Sequence, residues 1–304
     1  MNLKPRDESS ELKALRSLNI RMNLPVKVKN YYTNLEKGFK GEQVLDGWLE
    51  NLSFEKLVLN DLLLECNHTL FQIDTLLISP DTIYLFEVKN YEGDFFVEDD
   101  RWFSASRIEI KNPLLQLKRT ESLSRRSLHE FGNKLPIESY LIFVNPEFQL
   151  YQAPLNLPIV FPTQLKRFIQ NLKPKSSRLK ETHFKLAEQL QSSPLIETPY
   201  NRLPDYDFNE LKKGVSCVHC RSLDTSHTKM FLICKACGSS ESYLTAILRT
   251  IEEFRVLFPN RKITTNEIYD WCNTTKTIKT IRNVLLENYE KIGQGRSAHY
   301  IVKE

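Results

Sequence analysis

The sequence predicts an α/β protein with a mixed central sheet flanked by helices, followed by two smaller C-terminal modules. Three observations support this fold class. Over the first two thirds of the chain, apolar strands joined by tight turns occur with amphipathic helices, which indicates hairpins in a mixed sheet rather than repeated βα units. Two CxxC pairs follow. The final segment has the pattern of helix, short helix, basic helix and hairpin, which predicts a small α+β module.

Composition narrows the possible classes of protein. The chain has 304 residues, of which 41% are hydrophobic and 26% charged, so an ordinary globular protein of two or three domains is expected. The net charge of +4 is too small for a polycation, and any affinity for nucleic acid must come from local patches. No apolar run is long enough to cross a bilayer and no signal peptide is recognised, so we expect a cytoplasmic protein without a membrane partner.

Residues 1–36 are predicted to form a basic N-terminal leader. The first thirty residues contain seven Lys/Arg against three Asp/Glu, and Ser9–Leu18 has weak helical spacing. We expect a solvated helix here. The alternative is an arm that contacts phosphates.

The main domain is predicted over residues 37–191. It opens with a helix at Gly38–Leu49, which has Glu42 in its first turn, and continues into apolar strands. Asp74 is a lone acid in the strand that ends at Ser79, and Ser79-Pro80-Asp81 predicts a tight turn into the next strand. That second strand ends in Glu87 and Lys89, which are two residues apart and therefore point to one face of an antiparallel hairpin.

The remainder of this domain supplies a second hairpin and a long helix. The alternating stretch 93–104 predicts the hairpin, and Asn112-Pro113 opens a helix that continues to about Phe131 and carries Gln116, Lys118 and Arg119. Residues 192–205 hold three prolines in fourteen positions, which predicts a linker and a domain boundary.

The order of these motifs resembles the nuclease-related domain, or NERD, family of the PD-(D/E)xK nuclease superfamily. The resemblance covers roughly residues 37–150 and rests on Gly38-x-x-Gly41-Glu42, the hairpin acid Asp74, Glu87-Val88-Lys89-Asn90, and the aromatic hairpin with Trp102 before Asn112-Pro113-x-x-Gln116. It implies a restriction-endonuclease-like core and metal-dependent hydrolysis of DNA phosphodiesters.

The matched residues suit that chemistry. Mg²⁺, or Mn²⁺ in its place, takes oxygen ligands, so Asp74 and Glu87 on adjacent strands would hold the ion together with the carbonyl of Val88. Lys89 would orient or deprotonate the attacking water or stabilise developing charge. Glu42 would bind the metal through water or hold a second ion, and Gln116 would position Lys89 or a phosphate.

We therefore interpret Glu42, Asp74, Glu87, Lys89 and Gln116 as the catalytic set. Lys118 and Arg119 follow Gln116 on the same helix and are expected to contact the DNA backbone.

A second metal site is predicted over residues 206–240. Cys217 and Cys220 are separated from Cys234 and Cys237 by thirteen residues, a spacing typical of a zinc ribbon in which four thiolates bind structural Zn²⁺. Four cysteines complete the ligand shell, so no catalysis is expected at this site.

Residues 241–304 resemble a winged helix. In that fold the third helix enters the major groove and the wing contacts phosphates. The residues expected to contact DNA are Lys276, Lys279, Arg282 and Arg296. The excess of ten Lys/Arg over eight Asp/Glu in this segment is small, so a module that binds a protein partner is the alternative.

The sequence thus predicts a DNA nuclease whose C-terminal modules bind DNA or a partner. The alternative is a non-catalytic nucleic-acid-binding or regulatory protein on a nuclease fold. The same residues would also allow cleavage of RNA.

Overall fold

The computed structural model of the chain describes residues 1–174, 178–192, 202–228, 230–274 and 277–303, with the backbone alone at residue 296. The chain forms two compact units. One consists of Met1–Asp7 with Asn34–Pro199, and the other of Glu8–Thr33 with Tyr200–Glu304. Within the described residues, no helix combines the length and apolarity needed to cross a membrane.

The first unit contains ten strands and most of four helices among its described residues. The strands are β1 (Asn2–Lys4), β2 (Leu57–Cys66), β3 (Thr69–Ile78), β4 (Ile83–Lys89), β5 (Gly93–Glu98), β6 (Arg101–Ser104), β7 (Glu109–Ile110), β8 (Ile137–Phe143), β9 (Phe148–Tyr151) and β10 (Ile159–Val160). The helices are α2 (Val26–Glu50), whose residues before Asn34 are assigned to the second unit, α3 (Pro113–Glu130), α4 (Pro162–Asn171) and α5 (Glu181–Ser192).

The central sheet is mixed, which confirms the predicted fold class. Its order is β1-β2-β3-β4-β8-β10. Strands β2, β3 and β4 pair antiparallel, whereas β1, β8 and β10 each join a neighbour in parallel. The predicted turn at Ser79-Pro80-Asp81 joins β3 to β4, and the Ser79 side chain accepts a hydrogen bond from the Thr82 backbone N–H at 3.1 Å.

Helices cover both faces of this sheet. Leu128 of α3 and Leu186 of α5 pack against one face of β2 and β3, whereas Leu45 of α2 and Leu165 of α4 pack in the cluster on the opposite face. Successive side chains of β4 point to opposite faces of the sheet, and Phe86 lies on the face covered by α2 and α4. The side chains one and three positions further along, Glu87 and Lys89, therefore point to the face covered by α3.

A smaller four-stranded sheet, β7-β6-β5-β9, packs near the carboxyl ends of β4 and β8. The predicted hairpin of β5 and β6 is present. Trp102, only 1% exposed, stacks on Phe143 at 6.0 Å between ring centroids, and Phe143 pairs with Lys89 in the central sheet. This aromatic cluster therefore supports the end of β4.

The second unit combines helices with two small sheets. Its helices are α1 (Ser10–Arg21), α6 (Tyr243–Leu257), α7 (Thr265–Cys272) and α8 (Ile278–Asn288). Its strands are β11 (Thr225–His227), β12 (Phe231–Cys234), β13 (Ser240–Ser242), β14 (Tyr289–Ile292) and β15 (His299–Val302). The predicted order of three helices and a hairpin is present after residue 241.

The expectation that the N-terminal helix is solvated was wrong. Leu15 and Leu18 of α1 are fully buried, and Leu18 packs in one hydrophobic cluster with Phe254 and Trp271. The Arg21 side chain is also buried, and it donates to both carboxylate oxygens of Glu253 at 2.8 Å. The spacing of leucines was weak evidence for burial because α1 has a polar composition.

The predicted linker at 192–205 falls largely on residues 193–201, which lie outside the described residues. From residue 202 onward the chain belongs to the second unit, where Leu203 packs against its core. The hydrophobic cluster also joins Val215 and Leu232 to α6, so the cysteine-rich segment and the helices after it share one core. The domain boundaries proposed from the sequence remain predictions.

Candidate functional site

The candidate site forms where the β3–β4 ladder ends. Paired residues run from Ile78 and Ile83 to Thr75 and Phe86, and the regular ladder stops there. Beyond it, the Val88 backbone N–H donates to Oδ2 of Asp74 at 2.9 Å. An aspartate side chain thus accepts the hydrogen bond that a backbone carbonyl would take in a continued ladder, which fixes Asp74 beside the end of β4.

Two other predicted residues, Lys89 and Gln116, meet at Glu87. Lys89 Nζ donates to Glu87 Oε1 at 2.6 Å, and Gln116 Nε2 donates to the same oxygen at 2.6 Å. Lys89 Nζ is also 3.4 Å from Gln116 Oε1. The Glu87 side chain is 3% exposed, so this charge is compensated inside the protein rather than by bulk water.

The start of α3 positions Gln116. Asn112 caps the helix by accepting from the Leu114 backbone N–H at 2.9 Å, and Pro113 occupies the first helical turn. The Asn112 side chain also donates to the Asp100 carbonyl oxygen in the turn of the second hairpin at 3.0 Å. The helix is therefore tied to the small sheet one turn before Gln116.

Glu42 comes from α2, which approaches the end of β4 at a glycine. A Cβ atom on Gly41 would lie 2.7 Å from Cβ of Asn90 and 3.2 Å from Cγ2 of Val144. Only glycine permits this separation without movement of the backbone. The close approach places the following residue, Glu42, at the same end of the sheet as Asp74.

Arg6, which follows β1, joins Glu42 to the sheet. Its guanidinium donates to Glu42 Oε2 at 2.8 Å, to both carboxylate oxygens of Asp46, to Asp61 Oδ1 at 3.0 Å and to the Asp74 carbonyl oxygen at 3.1 Å. A further hydrogen bond at 2.7 Å reaches the Thr75 hydroxyl. The Arg6 side chain is 2% exposed, so three carboxylates surround a buried cation.

The electrostatics of the site favour uptake of positive charge. Burial raises the pKa of Glu87 to about 7, and the charge of Asp74 adds to this effect. Burial and Asp74 likewise raise the pKa of Glu42 to about 8 despite the opposing charge of Arg6. Burial also raises the pKa of Asp74, although Lys89 and the Val88 N–H oppose it. Protons or a metal ion would relieve this excess of negative charge.

The pKa of Lys89 is also raised, and for an amine this favours the charged form. Burial alone would lower the pKa of its ammonium group, but the charges of Glu87 and Asp74 outweigh burial and raise the pKa above its usual range. Lys89 is therefore a cation at neutral pH in this arrangement.

The carboxylates leave oxygens available for an ion. Among the described residues, Oδ1 of Asp74 and Oε2 of Glu87 accept no hydrogen bond. These two oxygens come from adjacent strands. Their hard, anionic character matches Mg²⁺ or Mn²⁺.

Comparison with known protein families agrees with this geometry. Residues 37–144 match the family model of the nuclease-related domain, NERD. The chain contains a NERD domain. The match includes Glu42, Asp74, Glu87, Lys89 and Gln116 but not Arg6, and it confirms the resemblance given by the order of motifs. Neither a curated protein nor a solved structure matches the chain.

The second predicted metal site lies outside the NERD domain. The four sulfur atoms of this site lie within 4.8 Å of one another and belong to Cys217, Cys220, Cys234 and Cys237. In the described part of the chain, no other three His, Cys, Asp or Glu residues bring their ligand atoms this close together. Glu42 thus does not form such a group with Asp74 and Glu87.

The sulfur separations fit a zinc ion. Cys217 Sγ is 3.7 Å from Cys237 Sγ, and Cys220 Sγ is 3.4 Å from Cys234 Sγ. A disulfide would need about 2.05 Å, whereas tetrahedral Zn²⁺ with bonds of about 2.3 Å separates its sulfurs by roughly 3.8 Å. The cluster is therefore compatible with the predicted zinc ribbon.

Hydrogen bonds favour the thiolate form at Cys217 and Cys237, whereas the hydrogen bond with Cys234 raises the pKa of Cys220. The Ser239 hydroxyl is 3.1 Å from the sulfurs of both Cys217 and Cys237, and the His219 backbone N–H donates to Cys217 Sγ at 3.3 Å. Burial raises the pKa of Cys217, but these hydrogen bonds outweigh it and lower the pKa to about 6. Deprotonated sulfur is the form that binds metal.

The basic residues predicted to contact DNA lie in two places. Lys118 and Arg119 are exposed on α3, in the NERD domain. Lys279 and Arg282 are exposed on α8 and line a groove of about 770 Å³ together with Lys291 of the hairpin. Lys276 and the side chain of Arg296 lie outside the described residues.

Sequence reasoning missed several residues of these sites. Arg6 lies 36 positions before Glu42, and no local pattern links them. Asp46 follows Glu42 by one helical turn, which was an available signal for a shared face. Asp61 adopts a left-handed conformation with φ of 51° inside β2, and that irregularity was not predictable from the apolar pattern around it.

Proposed function

We propose that this protein is a metal-dependent nuclease that hydrolyses DNA phosphodiester bonds. The observation that carries the proposal is the convergence of Asp74, Glu87 and Lys89 at the end of the β3–β4 ladder within a NERD domain. Buried carboxylates of raised pKa beside a lysine are a costly arrangement for a protein that makes no use of them.

Asp74 and Glu87 would hold Mg²⁺, or Mn²⁺, together with the carbonyl oxygen of Val88. Their available oxygens support this assignment, and Glu42 lies close enough to influence Asp74 electrostatically. A bound divalent ion would lower the pKa of a coordinated water and stabilise negative charge on the scissile phosphate.

Lys89 would act as a cation rather than as a base. Its raised pKa keeps the ammonium group protonated, so it can donate to the attacking water or to a phosphate oxygen as charge develops. Gln116 contacts both Glu87 and Lys89 and so would fix their relative positions. Such a supporting contact limits the side-chain motion that would separate the ion from the ammonium group.

Substrate binding would use the exposed basic residues. Lys118 and Arg119 follow Gln116 on α3 and would contact the backbone near the cut site, and Lys276, Lys279, Arg282 and Arg296 would contact DNA through a winged helix formed by α6, α7, α8 and the β14–β15 hairpin. Contacts of this kind position a duplex without reading its sequence.

We assign structural zinc to the cysteine cluster. All six cysteines are free of disulfides, which supports placement in the reducing cytoplasm.

The proposal is tested by incubating the purified protein with linear, circular and single-stranded DNA and with RNA, in Mg²⁺ or Mn²⁺. We expect cleavage of DNA by the wild type, none by Asp74→Ala, and a loss of about 10² to 10⁴-fold for Lys89→Ala. Asp81→Ala, at the opposite end of the same hairpin, is the matched control and should cleave normally.

Equal cleavage by Asp74→Ala, Lys89→Ala and the wild type would refute the assignment of the site. Metal-dependent cleavage of RNA but not of DNA would show that the substrate is RNA. Binding of DNA without cleavage in either metal would favour the non-catalytic alternative.

A further inference from the structure

Arg6 is the one buried arginine that the described structure places among the carboxylates of this site, and it lies outside the NERD match. It forms hydrogen bonds to Glu42 and Asp46 on α2, to Asp61 on β2, and to Asp74 and Thr75 on β3. A buried guanidinium that uses its donors on three separate elements is held in one position.

Arg6 lies between Glu42 and the strand that carries Asp74. The sequence predicts that Glu42 either binds the metal through water or holds a second ion. One terminal nitrogen, Nη1, donates to Glu42 Oε2, while the other, Nη2, donates to the Asp74 carbonyl oxygen at 3.1 Å. Oε2 of the Glu42 carboxylate is therefore paired with a protein cation that also binds the strand of Asp74. This agrees with the absence of Glu42 from any close group of ligand atoms with Asp74 and Glu87 in the described residues.

Protein cations compensate the carboxylates of the site only in part. Five carboxylates contribute five negative charges to the site when they are ionised. These are the carboxylates of Glu42, Asp46, Asp61, Asp74 and Glu87. Three nearby cations offset them, and they are Arg6, Lys89 and Lys4, whose ammonium group donates to the Asp61 carbonyl oxygen. When all five are ionised, these carboxylates outnumber the three cations, and uncompensated charge in a buried site is strongly disfavoured, so the site attracts a further cation.

We propose that Arg6 is a positioning residue that takes the place of a second metal ion, so that the centre binds a single divalent cation between Asp74 and Glu87. This inference rests on the proposed nuclease function. The fixed guanidinium holds one oxygen of Glu42 and supplies part of the positive charge that a second ion would otherwise bring.

Arg6 also links α2 to the sheet, so loss of activity on substitution would not separate its charge from its packing. The number of bound ions does separate them. Arg6→Gln removes the charge but keeps a polar, shorter side chain, and it leaves Glu42, Asp46 and Asp61 without their common counter-ion. Arg6→Lys keeps the charge. Arg16→Gln removes an arginine that pairs with Glu8 in the other compact unit, and it serves as the control.

The experiment measures Mn²⁺ bound to the zinc-loaded full-length chain by titration followed with electron paramagnetic resonance. We expect one Mn²⁺ for the wild type, Arg6→Lys and Arg16→Gln, and two for Arg6→Gln, with the second lost again in the double variant Arg6→Gln with Glu42→Gln. Circular dichroism and the melting temperature of each variant establish that it is folded.

Two Mn²⁺ in the wild type would overturn the inference while leaving the nuclease proposal intact. One ion or none in folded Arg6→Gln would also overturn it, because the charge of Arg6 would then not control the ion count. If Arg6→Gln does not fold, two ions in Arg6→Lys would count against the inference and one ion would support it. No Mn²⁺ in the wild type would refute both the inference and the metal-dependent function.

Discussion

The two candidate metal sites of this chain differ in how far apart their residues lie in the sequence. The cysteine cluster is built between residues 217 and 237 around one small sheet. The carboxylate site draws on residues from Arg6 to Gln116, carried by three strands, two helices and the segment after β1. A site formed by local turns is visible in residue spacing, whereas a buried carboxylate site depends on compensating charges that distant segments provide.

The sites also differ in what a metal would do there. Four thiolates complete a tetrahedral shell and leave no position for a substrate, which suits a structural ion. Two carboxylates and a carbonyl leave several positions of an oxygen-preferring ion open to water and phosphate. The first site would therefore contribute to folding and the second to chemistry.

Loss of zinc is expected to have the largest effect on stability. Zinc contributes on the order of 10 kcal/mol to the folding of small metal-bound modules, so Cys217→Ser should lose the ion and expose the backbone amides of β11, β12 and β13 to hydrogen exchange. Elemental analysis and exchange measured by mass spectrometry check this result.

Cys272→Ala provides the control for the cysteine substitution. This buried thiol lies in the same unit but outside the cluster, so the variant should keep one equivalent of zinc. Retention of zinc by Cys217→Ser, or a disulfide in place of zinc in the wild type, would contradict the assignment.

A smaller effect is expected at the contact between α2 and β4. Gly41→Ala places a methyl group 2.7 Å from Asn90 Cβ, so α2 must move and carry Glu42 with it. Overpacking of this kind costs about 1–3 kcal/mol, and we expect a lower melting temperature together with a lower cleavage rate.

Gly38 and Gly47 lie in the same helix, and a methyl group added at either position would have no neighbouring atom within 4 Å. Gly38→Ala and Gly47→Ala should therefore stabilise the protein, by up to about 1 kcal/mol each, and leave cleavage unchanged. Equal behaviour of all three variants would show that the close approach at Gly41 does not position the site.

The carboxylate site should bind metal more tightly as the pH rises. The raised pKa values of Glu87, about 7, and Glu42, about 8, mean that the folded site binds protons that the unfolded chain releases near pH 4.5. Stability without metal is then favoured at low pH and is lost as the pH rises through these values. A metal ion displaces the protons, so its stabilising effect should grow over the same interval.

Melting temperatures with and without Mg²⁺ between about pH 6 and pH 8 measure this dependence, and affinity should rise up to about tenfold per pH unit for each proton displaced. Glu87→Gln should flatten the dependence. A Mg²⁺ effect that shrinks with rising pH would contradict the account.

The smallest effect is expected on α8. Lys279→Ala and Arg282→Ala should each weaken DNA binding by about 1 kcal/mol and reduce the salt dependence of the binding constant by about one phosphate contact. Lys262→Ala removes another exposed cation of the same unit. It should have a smaller effect on both the DNA affinity and its salt dependence. Unchanged DNA binding with altered binding to a protein would favour the protein-partner alternative for this module.

Local patterns in the sequence predicted the parts of the site that depend on one or two neighbouring elements. The apolar period of two and the Ser79-Pro80-Asp81 turn predicted the hairpin that carries Asp74 and Glu87. The end of the ladder at Thr75 was not predictable, because a strand pattern gives no sign of where pairing stops. Arg6 was missed because its partners lie between 36 and 69 residues away, and local patterns do not connect residues so far apart.

The most direct test of the central claim is cleavage of linear DNA by the zinc-loaded protein in water enriched with oxygen-18, with Mg²⁺ present. If Asp74, Glu87 and Lys89 carry out hydrolysis, each cut should place one labelled oxygen on the terminal phosphate, and Asp74→Ala should give neither cuts nor label. No cleavage by the wild type in Mg²⁺ or Mn²⁺, or labelled cuts made equally well by Asp74→Ala, would contradict the account.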